Sequence, residues 1–209
     1  MFNLEKHIKH IKKIKPNEQG FNYDPSRWED LKSEWKSSIR EFENMLVTRK
    51  IVINSFKEHF ENKCDYFKPY LLTMIWGYAN AGYGNYRVKT QMRNPEQIKK
   101  AFDKLKSGNL EEAFEELISI KGLGISFASK LLYFGGRARI KEYPLIFDRR
   151  VAGALVKLYV PKSIEGIFEI SPSSKFEEYQ NYISFLHTLA KKNHVEAEQI
   201  EQFLYEQKF

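Results

Sequence analysis

The amino-acid sequence predicts an all-α protein, and three observations lead there. Apolar residues recur at helical spacing through most of the chain. Prolines and polar capping residues stand where those runs begin. Strand signals are almost absent: IKEYPLIF, residues 140–147, is the one candidate, and it reads better as extended coil. There is no internal repeat and no low-complexity tract.

Taken in order, residues 2–14 set Phe2, Leu4, Ile8, Ile11 and Ile14 among lysines, the pattern of a basic amphipathic helix. Such a helix packs by its apolar stripe or lies along a phosphate backbone. Residues 16–23 read as a loop. From Pro25-Ser26 onward, Trp28, Leu31, Trp35, Ile39, Phe42 and Leu46 keep helical spacing and predict one long run. A further amphipathic helix is expected over 49–60. Pro69 marks the start of YLLTMIWGYANA, apolar nearly all round and therefore expected to be buried.

The chain then enters Gly82-Tyr83-Gly84-Asn85-Tyr86-Arg87, read as a loop. Mobile backbone carrying aromatic and amide groups suits stacking on unpaired bases or wedging into a duplex. The other reading is a Gly-rich connection whose tyrosines cover an edge of the core. Asn94-Pro95 opens a polar helix to Lys106, and Asn109 with Glu112 forms a capping box for a helix over 110–120. An extended Pro144-Leu145-Ile146-Phe147 leads to a helix over 149–159, which Pro161 ends. Ser174 with Glu177 makes a second capping box for the helix that follows, and a last helix is expected over 195–206.

At 209 residues, 42% of them apolar and 15% aromatic, the chain can bury a good core as one domain or two small lobes. A net charge of +7 suits a polyanionic partner. No apolar run approaches the roughly eighteen residues of a membrane span, and residues 1–15 lack the apolar centre of a secretory signal. Cys64 is the only cysteine, so no disulfide forms within the chain, and a reducing, cytoplasmic location is expected. His7, His10, His59, His187 and His194 show no metal-ligand spacing, and no metal or other cofactor is expected.

The functional signal lies in residues 117–148. Gly122-Leu123-Gly124 separates two helices, with Lys121 before it, and the glycines allow a sharp turn and a close approach by a ligand. The second helix opens at Ile125 or Ser126, and the unpaired N–H groups of such an end attract phosphate. Ala128 keeps the helices close, while Leu117, Ile120, Leu123, Leu131 and Leu132 supply an apolar seam. The extended stretch after the second helix delivers Asp148 to the start of the next. Alone, Asp148 is an ordinary N-cap and the glycines an ordinary turn.

In that order, Gly122, Leu123, Gly124, Ala128 and Asp148 resemble the HhH-GPD superfamily of DNA glycosylases, of the bacterial 8-oxoguanine-glycosylase type. Lys121 departs from the proline often found before the first glycine. The resemblance implies two helical lobes around a cleft, residues 64–137 forming one and residues 1–63 with 138–209 the other. It implies that Lys121, Gly122, Leu123, Gly124 and Ile125 grip the backbone of double-stranded DNA, and that Asp148 serves N-glycosidic cleavage. Arg149 and Arg150, directly after Asp148, suit phosphate contact. Asn80, Tyr83, Asn85, Tyr86 and Arg87 fall where relatives carry the residues that fill the gap left by a flipped nucleotide.

Ser126 stands where bifunctional relatives carry a lysine. A hydroxyl cannot form an imine, so hydrolysis by a monofunctional, monomeric enzyme is implied. Lys130, at i+4 from Ser126, shares its helix face: it contacts the flipped nucleotide, replaces the missing amine, or is a surface lysine. A single cysteine excludes the four-cysteine iron–sulfur cluster of some relatives. Two other classes remain open, a non-catalytic DNA-binding module and a helical interaction protein. Base repair and phage defence are both compatible roles.

Overall fold

The computed structural model describes residues 4–79, 81–159 and 175–207. Its helices are α1 (Ile8–Ile11), α2 (Ser33–Ser37), α3 (Arg49–Phe60), α4 (Phe67–Tyr78), α5 (Gly84–Gln91), α6 (Pro95–Lys106), α7 (Leu110–Ser119), α8 (Ile125–Gly136), α9 (Arg149–Tyr159), α10 (Phe176–Asn193) and α11 (Ala197–Glu206). The all-α class holds, with one addition. Strands β1 (Gly20–Asn22) and β2 (Leu46–Thr48) pair antiparallel, Phe21 opposite Val47. Gly20 permits that pairing, because a Cβ there would lie 2.6 Å from the Val47 carbonyl oxygen.

The single helical run expected from residue 25 to 46 is corrected. The chain forms a 3-10 turn at Pro25–Trp28, the short α2, another 3-10 turn at Arg40–Phe42, then β2. The apolar spacing was real, since Trp28, Leu31, Trp35 and Ile39 are all buried. Continuity fails for local reasons. The Ser37 and Ser38 hydroxyls donate to the carbonyls of Glu34 and Trp35 at 2.6 and 2.7 Å, competing with the helical ladder. Asn44 then takes a left-handed φ of 59° and turns the chain back. The basic N-terminal helix is likewise shorter than expected, a 3-10 turn at Leu4–His7 followed by α1. Its apolar side is used for packing: Leu4, Ile11 and Ile14 are buried, and α1 lies against α11.

Other boundaries follow local chemistry. Thr48 caps α3 by accepting the Ile51 N–H at 3.3 Å. Asn109 caps α7 by accepting the Glu112 N–H at 3.3 Å, and its side-chain amide also meets the Glu112 carboxylate. Residues 143–147 are coil rather than strand, after a turn at Lys141 and Glu142, and are held where Tyr179 and Tyr182 donate to the carbonyls of Leu145 and Ile146 at 2.8 and 2.7 Å. Glu196 and Gln199 form the capping box that opens α11, which the sequence reading missed. The box expected at Ser174, and the helix stop at Pro161, lie outside the described residues.

The stretch after α4 is also corrected. Gly84 begins α5 rather than sitting in a loop. It is buried so tightly that a Cβ would lie 3.0 Å from Tyr78 and 3.1 Å from Trp28. At the centre of the fold, α8 is buried from Ala128 to Gly136 and packs against α3, α4, α6 and α7.

Candidate active site

Asp148 is the first residue to place. It precedes α9, and one carboxylate oxygen, Oδ1, accepts the N–H groups of Arg150 and Val151 at 3.0 and 3.1 Å. The ordinary capping role is therefore present. The second oxygen, Oδ2, is turned the other way and meets Lys130 Nζ at 3.5 Å. Two donors on Oδ1 fix the carboxylate so that Oδ2 has one orientation. Ser129 braces the same stretch: its hydroxyl accepts the Phe147 N–H at 3.0 Å and donates to the Ser126 carbonyl at 3.2 Å.

Lys130 is not a surface lysine, and that reading is corrected. It is 6% exposed, and its ammonium donates to both the carbonyl and the hydroxyl of Ser126 at 3.1 Å. The charge also lies 5.1 Å from the Phe127 ring centre. Burial pushes the ammonium below the usual lysine range, while Asp148 works against that shift. Ser126 and Lys130 thus share one helix face, as their spacing predicts, with the amine reaching back one turn to the serine.

Lys130 and Asp148 open into a cavity of about 170 Å³ between α4, α8 and α11. Trp76, Tyr78, Tyr205 and Phe21 supply aromatic walls, and Arg49 and Glu201 bring a second pair of charges. Arg49 lies between the rings of Trp76 and Tyr133, with centroids 5.2 and 5.1 Å from its guanidinium carbon. Its Nη1 donates to Glu201 Oε2 at 2.8 Å and its Nε to Gln19 Oε1 at 2.7 Å. Burial pushes the Glu201 carboxyl up, against the pull of Arg49. Sequence reasoning missed Arg49, Trp76, Glu201 and Tyr205. One signal was available, since Glu201 interrupts the buried face that Ala197 and Leu204 define on α11.

The glycine hairpin adjoins this site through α8. Gly122 has φ 86°, and its carbonyl accepts from Gln91 Nε2 at 2.9 Å, tying the turn to α5. Tyr70 holds the other end of Gln91, donating to Oε1 at 2.6 Å. Gly124 is the N-cap of α8, with nothing within 4 Å of where a Cβ would stand. Lys121, Gly122 and Gly124 are exposed, whereas the side chains of Leu123 and Ile125 are buried, leaving those two only main-chain groups to offer a ligand.

Arg149 and Arg150 are exposed at the start of α9, Arg150 lying 4.9 Å from the Tyr205 ring centre. Arg137 is committed to the core edge: it pairs with Glu198 at 3.2 Å and lies over Tyr143. Tyr83 and Tyr86 are 60% and 70% exposed, although Tyr83 touches the core at Tyr78. The Tyr83 ring meets Tyr78 edge-on at 5.5 Å, and Tyr78 stacks on Phe127 at 4.1 Å. An aromatic series therefore runs from the start of α5 to the cavity wall. Asn85 is half-buried with its Oδ1 unpartnered, and Arg87 is exposed close to Gly122. Asn80 lies outside the described residues.

A family model described as "Putative 8-oxoguanine DNA glycosylase OGG-like protein" matches residues 14–205. Searches of curated proteins and of solved structures return no match.

Proposed function

The chain belongs to this OGG-like family, and on the geometry of its cavity we propose that it is a monomeric DNA glycosylase that flips a damaged or modified base from double-stranded DNA and excises it. The observation that carries this reading is the Lys130–Asp148 pair, 3.5 Å apart in an aromatic-walled cavity. A flat base stacks on such walls, and its sugar meets the charges. The turn at Gly122 and the start of α8 act as a helix–hairpin–helix that holds the DNA backbone, in the manner of the HhH-GPD superfamily. Arg149 and Arg150 add phosphate contacts, Tyr83, Tyr86 and Arg87 enter the gap in the duplex, and the cleft lies between two helical lobes.

In the hydrolytic form of the reaction, the C1′–N bond breaks and its electron pair leaves with the base. Positive charge grows on the sugar, and Asp148 Oδ2 stabilises it in a water-poor site. Water adds to C1′ and loses its proton to the carboxylate. Ser126 takes no covalent part.

One observation favours a second form. Lys130 Nζ lies 3.1 Å from Ser126 Oγ, which brings an amine to the position that the serine occupies. A neutral Lys130 would attack C1′ as the base departs, the sugar ring would open to an imine, and elimination would break the strand. Its depressed proton affinity helps that form.

A duplex bearing 8-oxoguanine, incubated with the protein and then treated with hot alkali, is expected to break at the modified base. No alkali-labile site on that or any oxidised or alkylated duplex contradicts the glycosylase reading. Borohydride separates the two forms: hydrolysis gives no covalent adduct, whereas the imine gives one that Lys130→Gln abolishes.

A further inference from the structure

Glu201 is 1% exposed, yet its Oε1 has no hydrogen-bond partner. Buried carboxylate oxygens are rarely left so, because a lost partner is costly in a site shielded from water. The other oxygen explains why the side chain cannot turn to find one. Oε2 is held by Arg49 at 2.8 Å, and Arg49 is fixed in turn by Gln19 and by the rings of Trp76 and Tyr133. Glu201 lines the same cavity as Lys130 and Asp148. Oε1 itself is covered rather than open to the cavity, so an occupant that supplies its donor must press into that wall.

The charges say what kind of occupant. Lys130 faces Asp148 and Arg49 faces Glu201, so two cations balance two carboxylates. A balanced cavity gives no premium to a cationic base, such as one carrying an alkylated ring nitrogen. It suits a neutral aromatic ring that brings one N–H to meet Oε1. A flipped nucleotide has such groups to spare, since its pairing edge has lost its partner.

We infer that Glu201 selects the base: it accepts an N–H from the pairing edge of a neutral flipped base, and bases lacking that donor are rejected. This rests on the reading of the cavity as a base pocket. An acceptor facing a second acceptor is disfavoured, and a carboxylate left buried without its donor loses a charge-assisted bond, worth roughly tenfold or more in affinity.

The test measures binding without chemistry. Three duplexes are compared: one with 2′-fluoroarabino-8-oxohypoxanthine, whose sugar resists cleavage and whose pairing edge carries a single N–H, one with its 1-methyl derivative, and one with a tetrahydrofuran abasic-site analogue. The unmethylated base is expected to bind roughly tenfold more tightly than the methylated one. Glu201→Gln should weaken the unmethylated complex by a similar factor and leave the other two unchanged. In that variant the amide oxygen still accepts from Arg49, which turns the NH₂ group toward the base, donor against donor. The methyl group adds bulk in both proteins, so only a change confined to the N–H base reports the hydrogen bond. Unchanged binding of that base by Glu201→Gln overturns the inference while leaving the glycosylase reading intact. Should the variant not fold, equal binding of the two bases by the wild-type protein overturns it instead. Failure to bind all three duplexes overturns both.

Discussion

Asp148 is a cap and, in the proposed function, a reagent as well, and the division falls between its two oxygens. Oδ1 serves α9 and Oδ2 serves Lys130. Because Asp148 raises the proton affinity of Lys130 while burial lowers it, replacing Asp148 with Asn should lower it further. Borohydride trapping of Lys130 on a preformed abasic duplex, if the amine reaches the sugar, should rise with pH through a midpoint below the usual lysine value of 10.5. Asp148→Asn should move that rise to lower pH; a shift upward contradicts the pairing. The second charge pair matters for stability. Arg49→Met leaves Glu201 buried without its counter-ion, and equilibrium urea unfolding should show a loss of about 3–5 kcal/mol. Asp148 was legible in the sequence because it follows the glycine hairpin in a fixed order. Arg49 and Glu201 were not, since they meet across 152 residues and neither sits in a motif.

The glycines separate local geometry from ligand approach. Gly122 has a positive φ, so Gly122→Ala strains the turn by on the order of 1 kcal/mol as well as blocking a ligand. Gly124 has φ −86° and open space beside it, so Gly124→Ala should cost only the N-cap preference for glycine over alanine, lowering the melting temperature by about 2–4 °C at most. If phosphate approaches there, the same change should weaken duplex binding several-fold whatever the sequence. Unaltered affinity would make the hairpin a turn and nothing more. Gly77 tests the cavity from the other side. A Cβ there would lie 2.6 Å from Phe127 and 3.1 Å from the Lys130 side chain, so Gly77→Ala should displace Lys130 and depress base release more than stability. Helices opened by proline or Asn, such as α6 and α7, were legible from sequence because their start signals are local. The β1–β2 pair was not: each strand is three residues long and exists only because the other is beside it.

For the whole molecule, a net charge of +7 predicts duplex affinity that falls steeply with salt, the logarithmic slope counting the phosphates neutralised. A slope near zero in a titration from low to moderate salt would remove DNA as the partner. Among the described residues no helix is long and apolar enough to cross a membrane. The class of fold was legible because helical periodicity survives averaging over the chain, even where the run from Trp28 to Leu46 broke into pieces. The cavity was not, because it is assembled from α4, α8 and α11 with Arg49 and Phe21, and no sequence window contains it. Its chemistry is the central claim, and mass spectrometry tests it most directly. Oxidised and alkylated DNA is incubated with the wild-type protein and with Asp148→Asn, and the free bases released are identified. The account predicts release of a neutral modified base by the wild-type protein and none by Asp148→Asn, with duplex binding within a few-fold of wild type. Equal release by the two proteins, or none by the wild type from any substrate, would contradict it.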